Sequence, residues 1–113
     1  MEPNAWVNEF QGAVTVCDSQ GIIIEMNDKS AKSFEKDGGK KLIGKNIMDC
    51  HSEPSRAKLA AMIQEQTTNI YTIEKNGVKK LIYQAPIHDH GVYAGFVEIS
   101  LEIPFDMPHF VRG

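Results

Sequence analysis

Apolar and polar residues alternate along the last third of the chain. From Tyr93 to Ile103 the odd positions are mostly large and apolar, whereas the even positions 98, 100 and 102 are polar. A period of two is typical of a β-strand with one buried face. Upstream, the segments 69–75 and 78–87 flank Asn76-Gly77, a strong signal for a tight hairpin turn. The pattern therefore predicts three consecutive antiparallel strands.

A second hairpin is predicted near the start of the chain. Residues 13–17 and 22–26 are rich in β-branched side chains, and Asp18-Ser19-Gln20-Gly21 between them has typical turn chemistry. Asn27 follows the second strand, where its side chain can accept hydrogen bonds from the first free N–H groups of a helix over 27–35. A longer helix is predicted to begin near Pro54 and to end near Gln66.

The order of elements defines the fold class. Two strands come first, the helices are grouped in the middle, and three strands follow. Such a grouping favours an α+β fold with an antiparallel sheet, in contrast to the strand–helix alternation of parallel sheets. We therefore expect a five-stranded sheet in which strands one and two lie beside the last three.

The two ends of the chain are expected to lie outside this core. Residues 1–12 are predicted to form a short N-terminal helix, capped by Asn4, with Trp6, Val7 and Phe10 on one face. Residues 13–103 would form the domain itself. Pro104 and Pro108 disfavour a continuous helix after the last strand, so residues 104–113 are predicted to be a tail.

Composition and charge exclude several classes of protein. The 113 residues fit one domain, 42% of them are hydrophobic, and the net charge is −3 with acids and bases interspersed. We therefore expect no nucleic-acid or membrane partner. Two cysteines make no disulfide framework, and no signal peptide or membrane-spanning run is evident. These features favour a cytoplasmic protein.

The chain resembles a PAS domain, a small module of sensory proteins, over about residues 13–103. The resemblance rests on the Asp18–Gly21 turn, the strand ending at Asn27, Gly44-Lys45-Asn46 before the second helical stretch, the Asn76-Gly77 hairpin and the closing strand 95–103. It implies helices packed on one face of the sheet, sensing, protein interaction and dimerisation. We expect signal transduction through binding of a small ligand or a partner, without catalysis, and an output that lies in a partner protein or another domain.

A ligand pocket is expected between the sheet and the helices, although the same side chains would fill a solid core just as well. A small apolar ligand would suit it. The predicted lining comprises Val16, Ile23, Phe34, Ile47, Met48, Leu59, Met62, Ile63, Tyr83 and Phe96.

Cofactor binding is an alternative to a simple ligand. We expect no cofactor, but His51 is a candidate axial ligand for haem, because some PAS sensors hold haem through a histidine in this part of the fold. The competing interpretation is that His51 helps to cap the following helix. The light-sensing branch of the family places its reactive cysteine directly after Gly-x-Asn. Here Ile47 has that position and Cys50 lies three residues further on, which argues against a flavin adduct, although non-covalent flavin stays open.

Metal binding and catalysis are weaker alternatives. His88-Asp89-His90 has no third metal ligand nearby in sequence and is interpreted as a hairpin tip. Cys50 and His51 are adjacent, so their side chains should point apart and not form a nucleophile–base pair. A small α+β enzyme therefore remains only an alternative.

Self-association is the last prediction from the sequence. Trp6, Val7 and Phe10 have no obvious place in the core, so they should be covered either by the outer face of their own sheet or by a second chain. We expect a homodimer that uses these three residues, with the monomer as the alternative.

Overall fold

A computed structural model describes all residues from 1 to 113, and its central feature is a five-stranded antiparallel sheet. The strands lie in the order β2-β1-β5-β4-β3, so the first two are beside the last three, as predicted. The helices are α1 Trp6–Glu9, α2 Asp28–Ser33 and α3 Ser55–Glu65; the strands are β1 Ala13–Asp18, β2 Ile23–Met26, β3 Asn69–Lys75, β4 Val78–Asp89 and β5 Val92–Ile103. The α+β fold class is confirmed.

Turn chemistry explains both hairpins. The Asp18 carboxylate accepts hydrogen bonds from the backbone N–H groups of Gln20 and Ile22, at 2.9 and 3.0 Å, and so closes the β1–β2 turn. At the β3–β4 turn, Asn76 and Gly77 both have positive φ angles, of 53° and 78°. A two-residue turn of this kind matches the twist of the strands that it joins.

Three short 3₁₀ turns, at Glu35–Asp37, Gly39–Leu42 and Ile47–Cys50, connect α2 to α3. Asn46 caps the last of them, because its side chain accepts a hydrogen bond of 2.9 Å from the N–H of Met48. The same segment is tied to the first hairpin by the bonds from the N–H of Ile47 to the carbonyl of Gly21 and from the N–H of Gly44 to the carbonyl of Ile23. The motif 44–46 therefore anchors the helical layer to the edge of the sheet.

The sheet has an inner face, covered by the helices, and an outer face. Residues opposite each other in an antiparallel pair share a face, so the registers assign each strand position to one of the two. The buried core lies on the inner face and joins β1, β2 and β5 to the helical layer; its members are Cys17, Ile23, Met26, Leu42, Ile47, Leu59, Met62 and Phe96.

In β5 the apolar residues at odd positions face away from the helices, although a half-buried strand is expected to turn its apolar residues toward the core. Val97, Ile99 and Leu101 lie on the outer face, whereas Glu98 and Ser100 share the inner face with Phe96. The expectation that Tyr93 belongs to the Val97 face is wrong. An irregularity between Ile87 and His88 shifts the β4–β5 register by one residue, which places Tyr93 opposite His88 on the inner face.

The N-terminal helix is shorter than predicted and is not capped by Asn4. Asn4 has a positive φ of 70°, Ala5 is the residue that precedes the helix, and no side chain caps it. The helix is placed against the outer face, where the side chains of Phe10 and Leu101 fill the space beside Gly12. Residues 104–113 contain neither helix nor strand, and no helix of the chain is long and apolar enough to cross a membrane.

Candidate functional site

A cleft of about 290 Å³ opens between the start of α3 and strands β3 and β4. It has one apolar wall, formed mainly by Leu59, and its other sides are largely polar. Its lining comprises His51, Pro54, Ser55, Lys58, Leu59, Asn69, Tyr71, Thr72 and Gln84. The volume is at the lower end of the range of about 300–1,000 Å³ typical of small-molecule sites.

A row of polar side chains crosses the inner face of the sheet, and two of its members, Asn69 and Gln84, line this cleft. Asn69, Gln84, Glu98 and Thr15 are successive register partners on β3, β4, β5 and β1. The Asn69 amide donates to Oε1 of Gln84 at 3.1 Å, and Nε2 of Gln84 donates to Oε2 of Glu98 at 2.7 Å. Gln84 is buried, and these bonds satisfy its side-chain amide, because a buried polar group costs free energy unless it is paired.

The Glu98 carboxylate lies in this row on the inner face of the sheet. It forms no ion pair; the two salt bridges of the chain join Lys40 to Asp28 and His90 to Asp89, both at the surface. Burial raises the pKa of Tyr71, and the Glu98 carboxylate raises it further. Tyr71 therefore stays a neutral phenol whose ring borders the cleft.

His51 lies at the rim of the cleft, directly after the 3₁₀ turn Ile47–Cys50. Its Nδ1 is 3.0 Å from the carbonyl oxygen of Ile47. Because a carbonyl oxygen only accepts, Nδ1 carries the proton in the neutral ring and Nε2 is left with a free lone pair. His51 thus bonds back to the turn before it, and Pro54, not His51, precedes the first residue of α3.

The two cysteines are free thiols and their surroundings make them weak nucleophiles. Burial, assisted by Glu98 and Asp18, raises the pKa of Cys17 to about 12. Burial also raises the pKa of Cys50, and Asp37 and Asp49 add to the effect. Since the thiolate is the reactive form, neither cysteine is set up for nucleophilic catalysis.

Eight of the ten predicted pocket residues belong to the core or pack against it. Ile23, Ile47, Leu59, Met62 and Phe96 are core members, and Phe34, Met48 and Ile63 are half-buried against them. Val16 and Tyr83 are elsewhere: Val16 is paired with Val97, and Tyr83 with Ile99, on the outer face. Seven of the eight, all except Leu59, do not line the cleft, because they fill the space between the sheet and the helices.

A groove of about 510 Å³ lies on the other side of the sheet, beneath α1. Val7 of α1, Val14 and Val16 of β1, and Ile24 and Ile43 give it an apolar lining. Trp6 and Phe10, in edge-to-face contact at 5.9 Å, remain 53% and 36% exposed next to it. The structure therefore brings Val7 and part of the Phe10 ring onto their own sheet but leaves Trp6 about half exposed.

The histidine pair at the β4–β5 turn forms no metal site in this arrangement. Nδ1 of His90 lies 2.7 Å from Oδ1 of Asp89, whereas His88 packs edge-to-face on Tyr93 at 6.0 Å. No group of three or more His, Cys, Asp or Glu side chains is placed to hold a metal ion anywhere in the chain.

Comparison with known proteins identifies the fold. No protein-family model matches the sequence, and no curated protein matches it significantly. Among solved structures, the PAS domain of BvgS from Bordetella pertussis has a TM-score of 0.64 at 15% identity, over 88% of this chain and 82% of that one. A PAS domain of a Colwellia psychrerythraea protein has a TM-score of 0.61 at 19% identity, over 86% and 90%. The Aer2 receptor of Vibrio cholerae, described as a dual PAS-heme oxygen sensor, gives 0.60 at 17%, over 83% and 96%.

The chain therefore has the fold of a PAS domain, and the resemblance inferred from its turns and motifs is confirmed at the level of the fold. Two of the structural neighbours are described as a sensor histidine kinase and a receptor, both from Vibrio cholerae.

Sequence reasoning missed the polar row altogether. Asn69, Gln84 and Glu98 are not among the predicted site residues, because each lies inside a predicted strand. The signal in the sequence was the alternation along β5. Phe96 is the aromatic residue of that strand most suited to a core, and the other even positions, Glu98 and Ser100, share its face.

Proposed function

We propose that this chain is a PAS-type sensory and protein-interaction module, which binds a small ligand in the cleft beside α3 and acts without catalysis. The carrying observation is the hydrogen-bonded row Asn69–Gln84–Glu98, whose members Asn69 and Gln84 line that cleft. Gln84 is only 3% exposed, and a glutamine buried at this cost is oriented by both of its neighbours. Such preorganised polar groups fix the orientation of a ligand in small-molecule sites.

The test is thermal denaturation of the purified domain with a panel of small polar compounds: amino acids, amines, carboxylic acids and sugars. A compound that binds the folded state raises the midpoint temperature, and the rise increases with the logarithm of its concentration once the site is saturated. The rise should vanish in Gln84→Ala and persist in Gln64→Ala, which changes an exposed residue of α3 outside the cleft. A panel without any stabilising compound would contradict the proposal.

A ligand sensor is a better account of the cleft than a haem sensor. His51 does offer a free Nε2, and one structural neighbour is described as a haem sensor. However, the cleft beside His51 is small and mostly polar, and the interior behind it is occupied by core side chains such as Ile47 and Leu59. The residues present therefore do not fit a large apolar macrocycle. An absorption spectrum with a Soret band that is lost in His51→Ala would reverse this conclusion.

Self-association belongs to the same proposal. The outer face carries the half-buried Val97, Ile99 and Leu101 in the sheet, and the more exposed Trp6 and Phe10 at its rim. Exposed apolar surface of this kind is typical of an interface, and a two-fold axis would place each patch on its own copy. We infer a homodimer that transmits the signal to a partner or output domain in the cytoplasm.

Sedimentation of the wild type and of Trp6→Ala/Phe10→Ala tests the dimer. The wild type should be dimeric at micromolar concentration and the double variant monomeric. Phe105→Ala, which removes an exposed ring from the tail, is the matched control and should remain dimeric. A monomeric wild type, or a dimer unaffected by the double change, would contradict the proposed contact.

A further inference from the structure

The tail, residues 104–113, exposes large apolar side chains to solvent. Phe110 is 73% exposed and Val111 is 91% exposed. The guanidinium carbon of Arg112 lies 5.9 Å from the centre of the Phe110 ring, so a positive charge accompanies this apolar pair. The backbone from Asp106 onward makes no hydrogen bond within the chain. Because burial of apolar side chains is favourable, this segment would gain free energy by docking on a matching apolar surface.

The groove under α1 is a surface of this kind. Its apolar lining includes Ile24 and Ile43, which are 48% and 42% exposed. Glu25 is the only charged residue that lines it, and it lies on β2 on the outer face of the sheet. Neither Glu25 nor Arg112 belongs to either salt bridge of the chain. The groove therefore combines an apolar floor with one unpaired carboxylate, which complements an apolar segment followed by an arginine.

We propose that Phe110 and Val111 of one copy occupy the groove under α1 of a second copy, where Arg112 pairs with Glu25. The inference rests on the proposed function, because it adds a contact to the homodimer inferred there. A two-fold axis makes the contact reciprocal, so that both tails and both grooves are used. Asn4 lines the groove and is exposed, and its side-chain amide can form hydrogen bonds with the extended backbone of the tail.

The tail is directed away from the groove of its own chain. The carbonyl oxygen of Phe105 accepts a hydrogen bond of 3.5 Å from Nζ of Lys79, whose register partner on β5 is Ile103. In the sheet order, β4 lies on one side of β5, whereas β1 and β2, which form the floor of the groove, lie on the other. When extended, the segment from Pro104 to Phe110 spans about 23 Å, which is enough to reach a neighbouring molecule. A second copy is therefore the occupant that the geometry favours.

The experiment measures the dissociation constant of the dimer by sedimentation at low ionic strength, where screening of exposed charges is weakest. Glu25→Lys and Arg112→Glu should each weaken the dimer at least about fivefold, because like charges then meet at both symmetry-related contacts. Arg56→Glu makes the same change of charge at an exposed residue of α3 outside the groove, so it is the matched control and should dimerise like the wild type. An unchanged thermal midpoint will verify that the variants fold.

An equimolar mixture of Glu25→Lys and Arg112→Glu should recover the affinity of the wild type. In the mixed dimer, the introduced lysine faces the introduced glutamate at one contact, and the native pair of Glu25 and Arg112 is present at the other. Tails bound within their own chains would give no such recovery, because each variant would keep its like charges together. The mixture therefore separates exchange between two copies from docking within one chain.

The apolar part of the contact is tested by Phe110→Ala/Val111→Ala, which should weaken the dimer at least about tenfold. Phe105→Ala is its control, because the backbone of Phe105 is bound to Lys79 and its ring is not part of the docked segment. This control should dimerise like the wild type.

Three outcomes would overturn the inference: a dimer that resists both charge reversals, a mixture no tighter than its components, or equal effects of the Phe105 and the Phe110/Val111 substitutions. These results leave the dimer itself intact, which Trp6→Ala/Phe10→Ala tests separately. A monomeric wild type would contradict the dimer and the tail contact together. The failure of the contact and the failure of the proposed dimer are therefore distinguishable.

Discussion

The side chain of Asn27 donates a hydrogen bond of 2.9 Å to the backbone carbonyl of Val7, and so ties the N-terminal helix to the start of α2. The same nitrogen donates to the carbonyl of Gly12 at 2.8 Å. Its oxygen accepts from the N–H of Val14 and from the N–H of Ser30, each at 2.9 Å. One buried amide thus links α1, β1 and α2, and it connects the groove under α1 to the helical layer.

Replacement of Asn27 by alanine should lower the free energy of unfolding by about 3 kcal/mol. The estimate combines loss of the helix cap, about 1 kcal/mol, with the cost of leaving buried backbone groups unpaired, about 1–3 kcal/mol. The measurement is urea denaturation. Trp6 is the single tryptophan, so its fluorescence will also report any release of α1.

Asn46→Ala is the control for this prediction. Asn46 also caps a helical turn and donates to a backbone carbonyl, that of Gln20, but it is less buried. We expect a loss of only about 1 kcal/mol and unchanged tryptophan emission. Equal losses in the two variants would show that the four hydrogen bonds of the Asn27 side chain stabilise the domain no more than those of Asn46 do.

Gly95→Ala should destabilise the domain by at least about 3 kcal/mol. Gly95 has a φ of 144°, which side chains rarely adopt, and a Cβ at this position would overlap the backbone carbonyl oxygen of Cys17 on the neighbouring strand. Gly91→Ala is the control: its φ is also positive, 81°, but nothing lies within 4 Å of the added carbon. Its cost should be about 1 kcal/mol by thermal denaturation.

The hairpins were predictable from the sequence because Asp18–Gly21 and Asn76-Gly77 determine their turns locally. The face of the sheet that the helices cover was not predictable. Both faces carry large apolar residues, so the alternation of odd and even positions along a strand does not tell which face the helices cover. Val16 and Tyr83 were therefore assigned to a pocket on the wrong side. The hydrogen bond from Gln84 to Glu98 joins residues 14 positions apart through the β4–β5 register, which no local pattern specifies.

Tyr93→Phe should leave the domain unchanged or raise its free energy of unfolding by about 1 kcal/mol. The Tyr93 hydroxyl is buried without a hydrogen-bond partner, an arrangement that costs about 1–3 kcal/mol, and phenylalanine retains the ring contact with His88. Tyr83→Phe, at an exposed hydroxyl on the outer face, should have no effect. A clear loss of stability in Tyr93→Phe, measured by urea denaturation, would show that the hydroxyl is paired in solution.

The last prediction concerns alkaline pH. Cys17 is fully buried, and its pKa is raised from 9.0 to about 12 in the folded state. The unfolded chain therefore releases this proton at a lower pH than the folded chain does. The contribution of the thiol to stability is complete below about pH 9 and is lost as pH rises from about 9 to about 12. At pH 10.5 the loss should be about 2 kcal/mol, since one pKa unit corresponds to about 1.4 kcal/mol.

The measurement is urea denaturation at pH 8 and at pH 10.5, for the wild type and for Cys17→Ala. Alanine lowers stability at both values because it leaves a small cavity, so the informative quantity is the change with pH. Other groups that titrate in this range contribute equally to both proteins and cancel in the comparison. The wild type should lose about 2 kcal/mol more than Cys17→Ala between the two pH values. Equal losses would mean that the Cys17 thiol ionises as readily in the folded domain as in the unfolded chain, and that the core around it admits water.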